Sequence, residues 1–91
     1  MSKAAVLVII RGHVQGVSYR ASAQETAKNL GVSGWVRNLN DNSVNLYAEG
    51  DRNCLERLIV WCRKGPPFAS VSKVEIKWIY PQDLNGFKIL R

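Results

Sequence analysis

The chain has 91 residues, the size of one domain, so residues 1–91 are read as a single unit that buries only about two-thirds of its unfolded surface and has little core to spare for a deep cavity, so that any active site is expected to be shallow and built from loops. With 46% hydrophobic and 22% charged residues it has the composition of a globular protein. Its formal charge of +6 favours anionic partners, yet the 13 basic residues are scattered, and no run has the form of a nucleic-acid-binding tail.

In chain order, Met1–Ile10 places one lysine before an apolar stretch without a small-residue cleavage site, unlike a secretory leader. The apolar run Ala4–Ile10 is far too short to span a bilayer. Ala4–Arg11 is β-rich and stopped by Gly12, which predicts a strand buried on at least one side. A loop with two glycines follows, to about Tyr19. Arg20–Leu30 is predicted helical: Tyr19, Ala23, Thr26, Ala27 and Leu30 share one face, and Gly31 supplies the stop. Ser33–Asn38 and Ser43–Glu49 read as strands joined at Asn40-Asp41-Asn42, a hairpin by its turn chemistry.

Gly50-Asp51 opens the second helix, with Asp51 or Asn53 as its cap. Leu55, Leu58, Ile59 and Cys62 form the stripe that faces a core, and Gly65-Pro66-Pro67 ends it. Val71–Tyr80 alternates, with Val71, Lys73, Glu75, Lys77 and Ile79 on one side and Ser72, Val74, Ile76, Trp78 and Tyr80 on the other. Gly86–Arg91 is a short last strand. The order β-α-β-β-α-β predicts an α+β, ferredoxin-like sandwich, an antiparallel sheet with two helices on one face, plus the short C-terminal strand. That architecture hosts many functions and selects none. Cys54 and Cys62 lie eight apart in one helix, hence ~12 Å along its axis. Bridged Cα atoms lie within ~7 Å, so the pair reads as two reduced thiols packing a helix in a cytoplasmic protein.

The segment Arg11–Arg20, RGHVQGVSYR, carries the strongest chemical signal. A loop entering a helix presents unpaired N–H groups at the positive end of the helix dipole. Gly12 and Gly16 allow a tight fold that turns successive amides inward as an anion nest. Arg20 adds a planar fork matched to phosphate oxygens. These residues alone predict a phosphate or carboxylate site. The segment is not a nucleotide P-loop, because G-x-x-x-x-G-K-[ST] is absent.

Gly12, Val14, Gln15, Gly16, Val17, Tyr19 and Arg20 fit G-x-V-Q-G-V-x-aromatic-R, and the segment resembles the acylphosphatase signature. GWVRNLNDNSVNLYAEG, Gly34 to Gly50, resembles a second block of that family, and GPPFASV, Gly65 to Val71, resembles its Gly-Pro-Pro loop. The resemblance implies hydrolysis of acyl phosphates without metal or cofactor, by a cytoplasmic monomer that binds neither nucleic acid nor membrane. It assigns catalysis to Arg20 and Asn38, and phosphate binding to the backbone amides of Gln15, Gly16, Val17, Ser18, Tyr19 and Arg20. Inorganic phosphate or sulfate is then expected to compete with substrate. His13, the one histidine, receives no essential role and reads as an exposed loop side chain.

Two residues depart from the family pattern. Ser18 stands where many members have Gly, and it is expected to keep an ordinary φ. Tyr19 replaces the common Phe and brings a hydroxyl that needs solvent or a partner. Two other functions remain open to the fold: a phosphate-binding module without turnover, and an RNA-binding domain. The aromatic-rich central strands of the latter have no counterpart in Ala4–Arg11 or Ser43–Glu49.

Overall fold

A computed structural model describes residues 3–91; Met1 and Ser2, counted above in the single unit and its opening segment, lie outside the described residues. Along the chain run β1 (Lys3–His13), α1 (Tyr19–Leu30), β2 (Ser33–Asn38), β3 (Val44–Asp51), α2 (Arg52–Lys64), β4 (Ser70–Ile79) and β5 (Phe87–Ile89). The sheet order is β4-β1-β3-β2-β5. The first four strands pair antiparallel, as expected, whereas β5 lies parallel to β2, so the complete sheet is mixed.

Alternation along the strands builds the core. Val6, Val8 and Ile10 of β1, Val36 of β2, and Val44, Leu46 and Ala48 of β3 are fully buried. They form one cluster with Tyr19, Ala23 and Ala27 of α1 and the α2 stripe Leu55, Leu58, Ile59 and Cys62, which places both helices on one face. Gly31 ends α1 in the left-handed conformation, its N–H bonding the carbonyls of Ala27 and Lys28. Asp51 caps α2 by accepting from the Asn53 N–H at 2.9 Å, which selects it over Asn53 as the cap.

β4 departs from simple alternation. Arg11 pairs with Lys73 but Gly12 pairs with Val71, so Ser72 is an extra residue in the ladder. This bulge shifts Val71 onto the half-buried side of Val74 and Ile76, away from Lys73. Gly12 is required there: at its φ of +127° a Cβ would lie 2.2 Å from the Ser70 carbonyl oxygen. The glycine therefore serves strand pairing, and the turn toward the helix begins after it.

Between β4 and β5 the chain passes from one edge of the sheet to the other. Glu49, on the middle strand, fastens this crossing. Its carboxylate accepts from the N–H groups of Gln82 at 2.8 Å and Leu84 at 3.0 Å, from the Tyr47 hydroxyl at 2.7 Å and from Lys3 Nζ at 2.8 Å. Burial pushes this carboxyl's pKa up, but the four donors more than offset it and bring it down to about 2. The crossing so held delivers β5 alongside β2.

Candidate functional site

The site is built where β1, α1, β2 and the end of the chain meet. Val14 is buried to 1% exposure and pins the loop after β1 to the core. Gly16 at φ 76° and Ser18 at φ 65° are both left-handed, and the chain passes from Ser18 directly into α1. The Ser18 carbonyl accepts the first helical bond, from the Ser22 N–H at 3.0 Å, while its side chain makes no capping bond. The expectation of an ordinary φ at Ser18 is thus overturned. The loop must turn sharply to enter α1, and Ser18 takes the conformation that glycine occupies more easily, at a cost of ~1 kcal/mol. Ser18→Gly is expected to stabilise the fold by up to about 1 kcal/mol with activity retained, measured by urea denaturation. Destabilisation would show that the Ser18 side chain contributes more than its backbone strain costs.

The first turn of α1 contains no acidic residue, so the positive end of its dipole is not answered by a carboxylate of its own. Tyr19 anchors this end of the helix. Its hydroxyl finds a buried partner, donating to the Cys62 carbonyl at 2.7 Å, and its ring lies 5.1 Å from that of Trp61. A Cβ at Gly65 would come within 3.0 Å of the Tyr19 ring, so the Gly-Pro-Pro loop braces the helix start by close packing. The thiol of Cys62 is buried beside it, and burial pushes its pKa up to about 12, which removes it from chemistry at neutral pH.

Arg20, half-buried on the first turn, reaches across to the residue that follows β5, where Nη1 donates to the Leu90 carbonyl at 3.3 Å. Asn38 closes β2 on the face shared with Val36. Its Oδ1 is buried and is the one buried side-chain nitrogen or oxygen among the described residues without a hydrogen-bond partner. Such an atom is costly unless it serves a ligand or water. Gly16, Ser18, Tyr19, Arg20 and Asn38 line one cavity of about 170 Å³, together with Ile89 and Arg91.

A wider cavity of about 550 Å³ adjoins it, sharing Arg20, Asn38 and Arg91 and adding Arg37, Leu39, Asn40 and Leu90. Arg37 is held there by Asn45 Oδ1 at 3.1 Å and by the Trp35 ring, whose centroid is 5.0 Å away.

Of the residues proposed from sequence, Gln15 and Val17 do not line the smaller cavity. Val17 packs against the core, and the Gln15 carboxamide donates to the carbonyls of Leu39 and Ser43, both at 2.9 Å. The hairpin turn they belong to is tied by side-chain bonds of its own. Asp41 accepts from the Ser43 N–H and hydroxyl and pairs with Arg11, and these bonds hold its carboxyl down at about 2. His13 is exposed at the end of β1, outside both cavities. Ile89, Leu90 and Arg91 escaped the sequence reading because nothing local tells which strand β5 joins. Among the described residues no three His, Cys, Asp or Glu side chains gather as metal ligands, and no helix is long and apolar enough to cross a membrane.

A protein-family model described as Acylphosphatase matches residues 6–89. An acylphosphatase of Azoarcus sp. strain BH72 is 54% identical over 87 residues, covering 96% of this chain and 89% of its own length. One from Thermococcus kodakarensis is 51% identical over 81 residues, 89% of each chain. The solved structure of an acylphosphatase from Coxiella burnetii superposes with a TM-score of 0.94 at 36% identity, covering 97% of this chain and 93% of that one.

Proposed function

The chain belongs to the acylphosphatase family and hydrolyses acyl phosphates, and from that premise we propose that the cavity between Arg20 and Asn38 is where it does so. The phosphoryl group sits at the start of α1, cradled by the backbone amides from Gln15 to Arg20 and neutralised by the Arg20 guanidinium. The acyl group extends into the wider cavity over Leu39, Asn40 and Leu90.

Asn38 Oδ1 accepts a hydrogen from the attacking water and aims its lone pair at phosphorus, opposite the acyl oxygen. The water oxygen bonds to phosphorus as the bond from phosphorus to the acyl oxygen breaks, and the electron pair leaves on a carboxylate. The conjugate acid of that leaving group has a pKa of ~4, so departure at neutral pH needs no general acid. An uncharged amide is no base, and the water's proton passes to a phosphoryl oxygen. What remains for the protein is positioning and charge stabilisation, which fixed amides and one arginine supply without a metal.

The observation that carries this reading is the unpartnered, buried Oδ1 of Asn38 in the same cavity as Arg20. The test is hydrolysis of acetyl phosphate in EDTA. Asn38→Ala is expected to lower kcat by on the order of 10²-fold, while inhibition by inorganic phosphate or sulfate stays competitive and nearly as tight. Phosphate binding without any turnover in the unaltered protein would instead favour a non-catalytic module. On the same reading, residues 1–91 act as one monomeric, cytoplasmic domain with its two thiols reduced.

A further inference from the structure

The site as read above has two halves on different parts of the chain, the loop 14–18 with α1 and the end of β2, and their separation must be held for the water to meet phosphorus. We propose that the Gln15 side chain is the positioning residue that sets this separation. It rests on the reading of Arg20 and Asn38 given above, but its evidence is its own.

Gln15 Nε2 has two hydrogens, and both are committed, one to the Leu39 carbonyl and one to the Ser43 carbonyl, each at 2.9 Å. Both partners are acceptors only, so the carboxamide cannot flip without setting its own oxygen against two carbonyls. The hairpin turn is already closed from within: Leu39 N–H bonds the Ser43 carbonyl at 2.9 Å, and Asn42 N–H bonds the Leu39 carbonyl at 3.2 Å. Gln15 therefore takes the remaining acceptor capacity of the two carbonyls that bracket the turn, and Leu39 directly follows Asn38. No other hydrogen bond joins loop 14–18 to the hairpin among the described residues. The neighbouring link, Arg11 with Asp41, leaves from β1 and is exposed on both sides. Gln15 is part-buried, so its two bonds compete less with water.

A loop carrying the phosphate cradle and a turn carrying the water holder are thus fixed to each other through one amide group. Removing that group should leave the cradle able to bind phosphate but let the distance to Asn38 drift. A displacement near 1 Å costs on the order of 10²-fold in rate.

Gln15→Met keeps the length of the side chain and removes both donors. With acetyl phosphate as substrate, kcat is expected to fall by ~10- to 100-fold, while the inhibition constant for inorganic phosphate stays within about threefold. In an Asn38→Ala background the same substitution is expected to cost little more, because the water holder is already gone. Gln15→Asn, too short by one methylene to span both carbonyls, should show the same split in milder form, and it carries the test if the methionine variant does not fold. An unchanged kcat, a phosphate inhibition constant that worsens in step with kcat, or additive losses in the double variant would each overturn the proposal. The two readings fail separately. Full activity in Asn38→Ala sinks the site itself, whereas an impaired Asn38→Ala beside an unimpaired Gln15→Met sinks only the positioning role.

Discussion

Arg20→Ala is expected to lower kcat/KM for acetyl phosphate by ~10³-fold or more and to weaken inhibition by inorganic phosphate in parallel. The size follows from what surrounds the guanidinium. It lies on the first turn of a helix, where a cation opposes the dipole, and its hydrogen bond is a long one, 3.3 Å, to the neutral carbonyl of Leu90. Its positive charge is answered by no carboxylate among the ion pairs of the described residues. An arginine so placed holds unspent charge toward the cavity it lines, and in the proposed mechanism charge growing on a phosphoryl oxygen in the transition state draws on it. Arg20→Lys should recover only part of the loss, since a point charge cannot bond two oxygens in one plane. Steady-state kinetics on the three proteins decide the matter. Activity that survives Arg20→Ala would remove the cavity from the mechanism.

The second large effect concerns stability. Glu49→Ala is expected to destabilise the fold by about 2–4 kcal/mol, because it takes the buried acceptor from the Tyr47 hydroxyl and the Leu84 N–H, whereas half-exposed Lys3 keeps Asp83 at 3.0 Å and the Gln82 N–H keeps the Tyr47 oxygen at 3.1 Å. The pH dependence gives an independent reading of the same group. Its pKa is about 2 in the folded chain, against an ordinary value of 4.5. The stabilisation is complete above the unfolded value and is lost as pH falls from there through about 2, where the unfolded chain takes up a proton that the folded one refuses. Urea denaturation at pH 7, 5 and 3 should show this acid-side loss in the unaltered protein and a flatter profile in Glu49→Gln. Equal slopes for both would mean that other carboxylates govern acid sensitivity. Because the crossing held by Glu49 delivers β5, and Leu90 follows it, Glu49→Gln should also raise the KM for acetyl phosphate modestly at neutral pH.

Much of this architecture can be read from local signals. The α2 stripe is buried residue for residue, and Ser33–Asn38 is a strand with the bounds its pattern predicts, because each depends only on periodicity and on stop residues beside it. Arg20 and Asn38 were legible through motif, and the structure sets them around one cavity although 18 positions separate them. What stayed hidden depends on partners distant in sequence. The bulge at Ser72 arises from pairing with β1, and the side on which Val71 lies cannot be told from β4 alone. The left-handed Ser18 breaks the preference of its residue type, as strained positions at functional sites do. Glu49 is only the end of the predicted strand Ser43–Glu49 in the sequence, and its tethering role depends on Gln82 and Leu84, the nearer of them 33 positions away. The Gln15 side chain reads only as part of a loop until the hairpin comes into place.

The interleaved sheet order has a further consequence, in the time domain. Only β2 and β3 are neighbours both along the chain and in the sheet; β1 must wait for β3 and for β4, whose Ile79 pairs with Ala5 from 74 positions away. Loop-closure entropy must therefore be overcome before most of the sheet's hydrogen bonds can form, which puts this small chain among slow folders, in the millisecond-to-second range or beyond. The hairpin that presents Asn38 is the one piece of sheet that can form locally. The wall on the other side of the cavity, made by β5, must await the docking of distant chain, so folding and the completion of the proposed site should share one late kinetic step.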